Sequence, residues 1–333
     1  MSSAKLRILV TAIAIAALAF AALTLVARVR PISSLFGVVV AAASPYAPIM
    51  ALVGLILSAM TRRTGLTIIA VLVLTVTGAI QIPRYSFTRP AVNQFVDVQV
   101  LSSNLRKGQA DPAEFVKLAK DSADVLAVSE LTPEAVELLS QAGIDKAFPY
   151  SVLIPAADAG GIGLWSRYPL DAVSPGKRPS FTIVAARIHV PGVLIDPLIA
   201  SVHVFSPVAS QRNTVDGWEA SIADAKAVLD EFGTVAGEAA VIVAGDFNTT
   251  SDTQQYRNLL TNGYRDAADQ AGAGFVPTFP SDSWLPPALE IDHVLTRGAT
   301  STSMRAVTVA GSDHRALQVT VRVPAIPQPL SAS

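Results

Sequence analysis

Three short polar motifs in the last third of the chain contain residue types that act together in phosphate chemistry. They are Gly245-Asp246-Phe247-Asn248, Ile291-Asp292-His293 and Gly311-Ser312-Asp313-His314. Each motif lies at the end or the start of an apolar segment that is typical of a strand. Carboxylates, an amide and histidines are the groups that hold a divalent cation and hydrolyse a phosphate ester. The pattern therefore predicts that these strand ends meet at one site.

Asp246 and Asn248 follow the continuous apolar run 240–244, which predicts a buried strand. Residues two apart in an extended segment point the same way, so both side chains can face one cleft. Ligands of open α/β sheets bind at the carboxyl ends of the strands, where this pair lies. A simple Asp-Phe-Asn turn after a strand is the alternative interpretation.

The two later motifs each place a carboxylate beside an imidazole. Asp313 directly precedes His314, and a carboxylate near a histidine fixes its tautomer and stabilises its protonated form. Asp292 directly precedes His293 at the start of an apolar strand, where it can orient an attacking water or a second histidine. The alternatives are a polar turn for the Asp313 motif and a buried salt bridge for the Asp292 motif.

Polar residues also end earlier predicted strands. Glu130 lies at such an end, where an acidic group suits an oxygen-loving cation such as Mg²⁺. Its alternative role is to favour the N-terminus of the next helix, which Thr132 is expected to cap. Asn104 ends the first strand, where it can hold a metal or a phosphate, or cap a turn. His203 ends a further apolar strand.

Periodic patterns place these motifs on a strand-rich frame. Strands are predicted near residues 96–100, 125–128, 150–155, 161–166, 181–190, 193–204, 240–244, 290–297, 303–310 and 315–323. Helices are predicted near residues 111–120, 132–141, 210–232 and 253–261. This order favours two packed sheets with helices outside them. The proline-spaced segment 324–333 predicts a disordered tail.

Charge is divided unevenly along the 333 residues. Residues 1–90 contain eight of the 25 basic residues and none of the 26 acidic ones, which leaves the remainder with a net charge near −9. Nucleic-acid binding depends on a basic surface, so the acidic remainder disfavours nucleic acid as a partner. The chain has no cysteine, which excludes a disulfide framework, a thiol nucleophile and a zinc–thiolate site.

The first 90 residues contain three long apolar runs, at residues 8–27, 35–60 and 66–82. Roughly twenty apolar residues cross the hydrocarbon core of a bilayer. We therefore predict a membrane anchor of about three transmembrane helices over residues 1–90, with the lipid bilayer as a partner. A cleaved signal peptide is the alternative for the first run, because basic residues precede it.

The orientation of this anchor is weakly determined by its basic residues. Lys5, Arg7, Arg62 and Arg63 lie at one side of the predicted spans, and Arg28, Arg30, Arg84 and Arg89 lie at the other. The N-terminal amine and the signal-like start favour a cytoplasmic N-terminus. With three spans, the domain at residues 91–323 would then lie outside the cytoplasm.

The order of these residues along the chain resembles the endonuclease/exonuclease/phosphatase superfamily, over about residues 94–323. The positions that carry the resemblance are Asn104, Glu130, Gly161-Ile162-Gly163-Leu164-Trp165-Ser166-Arg167, His203 and the three motifs above. Members of this superfamily include apurinic endonucleases, deoxyribonuclease I, sphingomyelinases and inositol polyphosphate phosphatases. With its anchor, the chain resembles membrane-bound bacterial members, some of them linked to cell-envelope lipid pyrophosphates and glycopeptide resistance.

The resemblance implies a four-layer α/β sandwich, which is two packed mixed sheets flanked by helices. It also implies hydrolysis of a phosphate ester with Mg²⁺, or with Mn²⁺ as the alternative ion. Carried over to this chain, Glu130 would be a metal ligand, and Asn104 would lie beside the metal and the phosphate. Asp246 would orient or activate the water, and Asn248 would bind the phosphate.

The remaining carried-over positions concern the histidines. His314 would act as a base or a phosphate ligand, with Asp313 orienting it. Asp292 matches the carboxylate in the strand before the last motif, and His203 matches a histidine that some branches use. Arg212, on the helix after His203, is expected to reach a phosphate, and a solvated helix face is its alternative.

Three functions fit these features. The first is a membrane-anchored phosphohydrolase acting on a lipid-linked phosphate or pyrophosphate outside the cytoplasm, because an anchor raises the local concentration near a lipid. The second is an extracytoplasmic endonuclease, which the acidic domain disfavours. The third is a non-catalytic binding module, which the intact set of motifs disfavours. The loop 275–287, with Trp284, is expected to shape specificity.

Overall fold

Apolar helices at the N-terminus precede a strand-rich domain in the computed structural model of the chain. The structure describes residues 2–86, 94–174, 176, 180–208 and 214–326. Arg212 and residues 327–333 of the predicted tail lie outside this part of the chain. Residues before 327 continue the domain, because the Ala325 N–H donates to the Gln94 carbonyl at 3.1 Å and the Ile326 N–H to the Gly192 carbonyl at 2.9 Å.

The apolar helices correspond to the predicted anchor. They are α1 (Ser3–Val29), α2 (Leu35–Ala42), α3 (Ala47–Met60) and α4 (Thr64–Gln81). Two helical segments, Ser3–Val29 and Thr64–Tyr85, are long and apolar enough to cross a membrane. A third span exists if α2 and α3 form one broken span, whose arms are bent by 41°. The bend lies at a short turn that contains Pro45, because proline cannot continue a regular helix.

Small residues bring the anchor helices together. Ala14 and Ala21 of α1 and Ala51 of α3 are fully buried. A side chain at Gly54 of α3 would come within 2.6 Å of Leu18. Small side chains allow helices to approach closely, so these positions explain the packing of α1 against α3.

The helices and strands of the following domain alternate along the chain. The helices are α5 (Pro112–Ser122), α6 (Pro133–Gln141), α7 (Ile144–Ala147), α8 (Thr214–Ala236), α9 (Gln254–Leu259) and α10 (Ala267–Ala271). The strands are β1 (Phe95–Asn104), β2 (Val125–Ser129), β3 (Tyr150–Ile154), β4 (Ile162–Ser166), β5 (Leu170–Val173), β6 (Thr182–Ile188), β7 (Leu198–His203), β8 (Val241–Asp246), β9 (Arg265–Asp266), β10 (Asp292–Arg297), β11 (Thr300–Thr308) and β12 (Arg315–Pro324). The predicted cap Thr132 accepts the Ala135 N–H at 3.1 Å.

The strands form two six-stranded mixed sheets that pack face to face. The first has the order β11-β12-β1-β2-β4-β3, and the second has the order β5-β6-β7-β8-β10-β9. Apolar residues from both sheets, such as Val100 and Ile242, form the buried layer between them. Phe115 of α5 covers the outer face of the first sheet, and Trp218 of α8 covers that of the second. The predicted four-layer α/β sandwich is confirmed.

The anchor packs directly on this domain. Ile32 and Ala41 belong to the same buried apolar cluster as Trp218 of α8. Arg28, near the end of α1, forms an ion pair with Asp252. Beyond α4, Arg84 forms one with Glu290, and its Nε lies 3.4 Å from Asp269 Oδ1. The Gln255 Nε2 group also donates to the Ile32 carbonyl at 2.9 Å.

Candidate active site

The second sheet aligns three of the predicted site residues at one edge. His203 at the end of β7 is directly opposite Asp246 at the end of β8. Asp292 at the start of β10 is opposite Asp246 on the other side. The parallel strands β7 and β8 end at the same edge, and the antiparallel β10 begins there. Strand register alone therefore brings these three side chains together.

The first sheet contributes Asn104 and Glu130 to the same site. The Asn104 Nδ2 group donates to Glu130 Oε1 and to Asp246 Oδ2, at 3.1 Å in each case. This amide therefore bridges the two sheets. The Lys107 N–H donates to Glu130 Oε2 at 2.8 Å. Glu130 has a left-handed backbone, with φ of 56°, and strain of this kind in a non-glycine residue persists where the surroundings fix it, often at functional sites.

His314 is oriented by Asp292 and not by its neighbour in sequence. Its Nδ1 atom lies 2.8 Å from Asp292 Oδ2, and its Nε2 atom lies 3.7 Å from Asp246 Oδ2. The Asp313 carboxylate instead lies 3.8 Å from the Nε atom of Arg106. The expected orienting role of Asp313 was therefore wrong, because consecutive residues in this loop point in different directions. An ionised carboxylate only accepts hydrogen bonds, so the Nδ1 atom of His314 carries the proton.

Two residues of the last motif hold its loop in place. The Ser312 hydroxyl donates to the Asn104 carbonyl at 2.7 Å and accepts the His314 N–H at 3.0 Å. Gly311 has φ of 82°, and a side chain there would collide with the Gln109 carbonyl. Ser312 is a positioning residue that the sequence analysis missed, because its partner Asn104 is more than two hundred residues away in sequence.

His203 and Asn248 complete the wall of the site. The His203 Nδ1 atom lies 3.0 Å from the Ala159 carbonyl, so its Nε2 atom faces Asp246 Oδ2 at 3.7 Å and Glu130 Oε1 at 3.9 Å. The Asn248 N–H donates to Asp246 Oδ1 at 2.8 Å. The Asn248 side chain donates to the Val204 carbonyl at 2.9 Å, which holds the residue beside the carboxylates.

The site concentrates negative charge in a buried place. Burial raises the pKa of Asp246, and the nearby Asp292 carboxylate raises it further, while His314 and His203 oppose the shift. Burial alone would lower the pKa of His314, but Asp292 and Asp246 raise it to about 10. The site thus holds three carboxylates, of Glu130, Asp246 and Asp292, beside the two imidazoles of His203 and His314.

The charge and the atom types of this site suit a divalent cation. Asp246, Asp292 and His314 offer atoms within 4.8 Å of one another that could hold a metal ion. Within this cluster, however, the Asp292–His314 contact is already a hydrogen bond. Glu130 lies on the other side of Asp246 and adds the carboxylate oxygen atoms that Mg²⁺ prefers. Asn104 turns its Nδ2 group toward both carboxylates, and its Oδ1 atom accepts the Arg106 N–H at 2.8 Å. The donor set therefore fits a hard cation between the two sheets.

His293 belongs to a separate buried network. It points away from the cleft, because side chains alternate along β10 and Asp292 faces inward. Its Nδ1 atom lies 3.0 Å from Asp266 Oδ2, and its Nε2 atom lies 2.9 Å from the Thr249 carbonyl. The Tyr256 hydroxyl donates to the same Asp266 carboxylate. His293 is thus a structural residue beneath the site.

A cleft of about 850 Å³ runs from the candidate site residues to the N-terminal apolar helices. Its polar end contains Asp246 and His314, and its other end is lined by apolar residues that include Val39 of α2. The loop that was expected to shape specificity contributes Phe279, whose ring lies 4.8 Å from that of His314. Trp284 of the same loop is 91% exposed and does not line the cleft. Sequence patterns gave no sign that an anchor helix lines the site.

The fold and the motifs match known proteins. Residues 101–314 match the model of the Endonuclease/Exonuclease/phosphatase family. A sequence search of curated proteins finds no match. The fold is shared with a family protein from Bacteroides thetaiotaomicron, with 15% identity and a TM-score of 0.52, over 69% of this chain and 99% of that one.

Two structures of D. rerio TDP2 have the same fold. A humanized form with 14 mutations has 18% identity and a TM-score of 0.52, over 68% of this chain and 98% of that one. A complex with a single strand DNA product has 18% identity and a TM-score of 0.51, with the same coverage of both chains. The matched residues extend over more than half of the chain and contain Glu130, Asp246 and His314 of the site. The chain therefore belongs to the Endonuclease/Exonuclease/phosphatase family.

Proposed function

We propose that the protein is a membrane-anchored, Mg²⁺-dependent hydrolase that cleaves a phosphoester or pyrophosphate bond of a lipid-linked substrate outside the cytoplasm. The observation that carries this proposal is the cleft that joins Asp246 and His314 to the apolar surface of α2. Members of the family include phosphodiesterases, nucleases and phosphatases. The site supports phosphate hydrolysis, and the anchor supports a substrate that resides in a bilayer.

Glu130 is the residue that would hold the cation, with Asn104 beside it. A bound Mg²⁺ or Mn²⁺ would neutralise phosphate oxygens and the charge that develops on the leaving group. The Asn104 Nδ2 group donates one hydrogen bond to the Glu130 carboxylate and one to the Asp246 carboxylate. These two bonds fix the distance between the carboxylates. Positioning of this kind supplies much of the rate enhancement in phosphoryl transfer.

Asp246 is the residue best placed to orient the attacking water and to accept its proton. Its pKa is raised above that of an exposed carboxylate, in the direction of neutral pH. A pKa closer to the working pH makes a carboxylate a better general base. The protonated His314, held by Asp292, lies beside it and can donate a hydrogen bond to a phosphate oxygen. Asn248 is placed to contact the same phosphate from the end of β8.

The packing of the domain against the spans supports the extracytoplasmic location that we propose for it. The domain packs on the end of α1 and the end of the last span, through Arg28 and Arg84. Lys5, Arg7 and Arg62 lie at the opposite ends of the helices. A cytoplasmic N-terminus therefore puts the domain on the extracytoplasmic side, at the membrane surface where lipid headgroups lie.

An extracytoplasmic nuclease is the competing function, since the D. rerio TDP2 structure contains a single strand DNA product. Nucleic-acid binding uses Lys and Arg contacts to many phosphates. The described residues that line the cleft include neither Lys nor Arg. Arg106, near the site, contacts Asp282 at 2.8 Å and Asp313 at 3.8 Å. These features favour the lipid substrate over DNA.

A substrate screen on the full-length protein in lipid nanodiscs tests the proposal. Phosphate release or cleavage is measured with a polyprenyl pyrophosphate, double-stranded DNA and sphingomyelin, with Mg²⁺ and with excess chelator. We expect metal-dependent turnover of the pyrophosphate and little cleavage of DNA. Preferred cleavage of DNA would establish the nuclease instead, and no turnover of any substrate with metal would support a binding module.

A further inference from the structure

The apolar half of the active-site cleft has a wall that comes from the membrane anchor. The helix α2 is the shorter arm of the bent helix pair, on the side of the catalytic domain. Its residues Leu35, Val38, Val39 and Ala42 line the cleft. The facing wall belongs to the domain and includes Phe205 just after β7. The cleft is therefore formed jointly by the anchor and the domain.

Contacts on both sides of α2 hold this wall in a fixed position. Ala41 is fully buried in the domain's apolar cluster. Before the helix, the Ile32 carbonyl accepts a hydrogen bond from Gln255 at 2.9 Å. After it, the Tyr46 hydroxyl donates to the Ala288 carbonyl at 2.8 Å, and its ring packs edge-on against Phe275. The wall is thus a docked part of the site and not a loose linker.

The charges in the cleft all lie at one end. Among the described lining residues, the ionisable acids and histidines are those of the catalytic site, with Asp313 beside them. At the other end, Val39 is 59% exposed and Phe205 is 48% exposed. Apolar side chains that face each other across an open cleft gain free energy when an apolar ligand covers them. The cleft is thus amphipathic, with a phosphate end and a hydrocarbon end.

Apolar lining begins immediately beside the catalytic residues. The Phe279 ring packs on His314 at 4.8 Å, and Leu289 and Ile291 line the same region. Polar side chains also line the cleft, among them Ser206, Thr249 and Thr250. The lining as a whole is therefore mixed, and the wall formed by α2 is its apolar side.

We propose that the apolar half of the cleft binds the hydrocarbon chain of the substrate, so that the N-terminal helix α2 forms part of the substrate site. This inference rests on the proposed function of the same site and adds the residues that select the chain. Val39 of α2 and Phe205 of the domain are specificity-determining residues. A lipid would reach the cleft from the bilayer beside α2.

A chain-length series tests the proposal with the full-length protein in nanodiscs. The substrates are isopentenyl, geranyl and farnesyl pyrophosphate, which share the reacting group and differ in chain length. Because each buried methylene adds binding energy, we expect kcat/KM to rise at least about tenfold from isopentenyl to farnesyl pyrophosphate. Val39→Trp narrows the cleft. In this variant, kcat/KM for farnesyl pyrophosphate should differ from that for isopentenyl pyrophosphate by no more than about twofold.

The matched control lies on the same helix. Phe36 of α2 is 68% exposed and does not line the cleft, so Phe36→Trp should keep the wild-type gain with chain length. Phe205→Ala tests the opposite wall without a change in the anchor and should also reduce the gain. Equal kcat/KM across the series in the wild-type protein, or equal effects of Val39→Trp and Phe36→Trp, would overturn the chain site.

A binding measurement separates this inference from the proposed function. In an Asp246→Asn background, equilibrium binding of isopentenyl and farnesyl pyrophosphate is compared with and without Val39→Trp. Tighter binding of farnesyl pyrophosphate that Val39→Trp removes supports the chain site even if no pyrophosphate is hydrolysed. Hydrolysis of every chain length with equal binding would retain the proposed function and reject the chain site alone.

Discussion

His314 and Asp292 form the hydrogen bond that orders the candidate active site, with His314 Nδ1 at 2.8 Å from Asp292 Oδ2. The two residues come from separate motifs and meet because the loop before β12 lies next to the start of β10. Asp313, adjacent to His314 in sequence, contacts Arg106 instead. The carboxylate that sets the tautomer of the imidazole is therefore the distant one.

Substitution of these two carboxylates should have unequal effects. Asp292→Asn replaces the carboxylate that accepts the Nδ1 proton of His314 with a neutral amide that can also donate, so we expect kcat to fall by at least about a hundredfold. Asp313→Asn leaves the Asp292–His314 hydrogen bond in place and should have a much smaller effect. Steady-state kinetics on the purified protein measure both variants. A greater loss in Asp313→Asn than in Asp292→Asn would contradict the assigned pair.

Glu130 should control the response to metal. Glu130→Gln retains the shape of the side chain but removes its charge, so turnover should collapse and the Mg²⁺ concentration for half-maximal activity should rise. Glu134→Gln, on the exposed start of α6, is the matched control. Full activity of Glu130→Gln, or of the wild-type protein in excess chelator, would reject the metal role.

Asp246 and His314 should act on the same step. Asp246→Asn and His314→Ala are each expected to lower kcat by at least about a hundredfold, which is the usual scale for acid–base and oxyanion groups. The double variant should lose much less than the product of the two factors, because the two groups act together. Melting temperatures confirm that each variant is folded. Multiplicative losses would indicate independent roles.

The buried pair of His293 and Asp266 should make stability depend on pH. Burial lowers the pKa of His293, but its hydrogen bond to Asp266 and the charge of that residue outweigh burial and raise the pKa above 6.5. The stabilisation that this pair gives the fold is fully present below the pKa that His293 has in the unfolded chain. It is lost as the pH rises through the pKa of His293 in the folded protein. We expect the melting temperature to fall above about pH 6.5, and His293→Gln to flatten this slope. An unchanged slope in the variant would contradict the assignment.

Cysteine labelling can establish the side on which the domain lies. The chain contains no cysteine, so Ser331→Cys and Ser2→Cys each introduce a single thiol. In intact cells, a membrane-impermeant reagent should label Ser331→Cys, and Ser2→Cys should react only after lysis. The reverse pattern would place the domain in the cytoplasm and remove the extracytoplasmic substrate from the proposed function.

The sequence was informative where chemistry follows directly from local structure. The apolar run before Asp246 predicts a strand end, and side-chain alternation along β10 separates Asp292 from His293. The sequence offers both Asp292 and Asp313 as partners of His314, and the choice between them depends on how the two sheets pack together. Short elements such as β5 and β9 have too few residues to show a period. The role of α2 as a cleft wall depends on tertiary packing and leaves no local pattern.

The ion pairs of Arg28 and Arg84 have a consequence for how the protein is assembled in the cell. Their partners Asp252 and Glu290 are almost completely buried, with side chains 2% and 1% exposed. A buried carboxylate without a cation is costly. The helices that carry the two arginines precede these carboxylates in the chain, so they are synthesised first. The N-terminal helices thus supply the cations that the later domain needs, and residues 94–326 expressed alone should misfold or remain unstable.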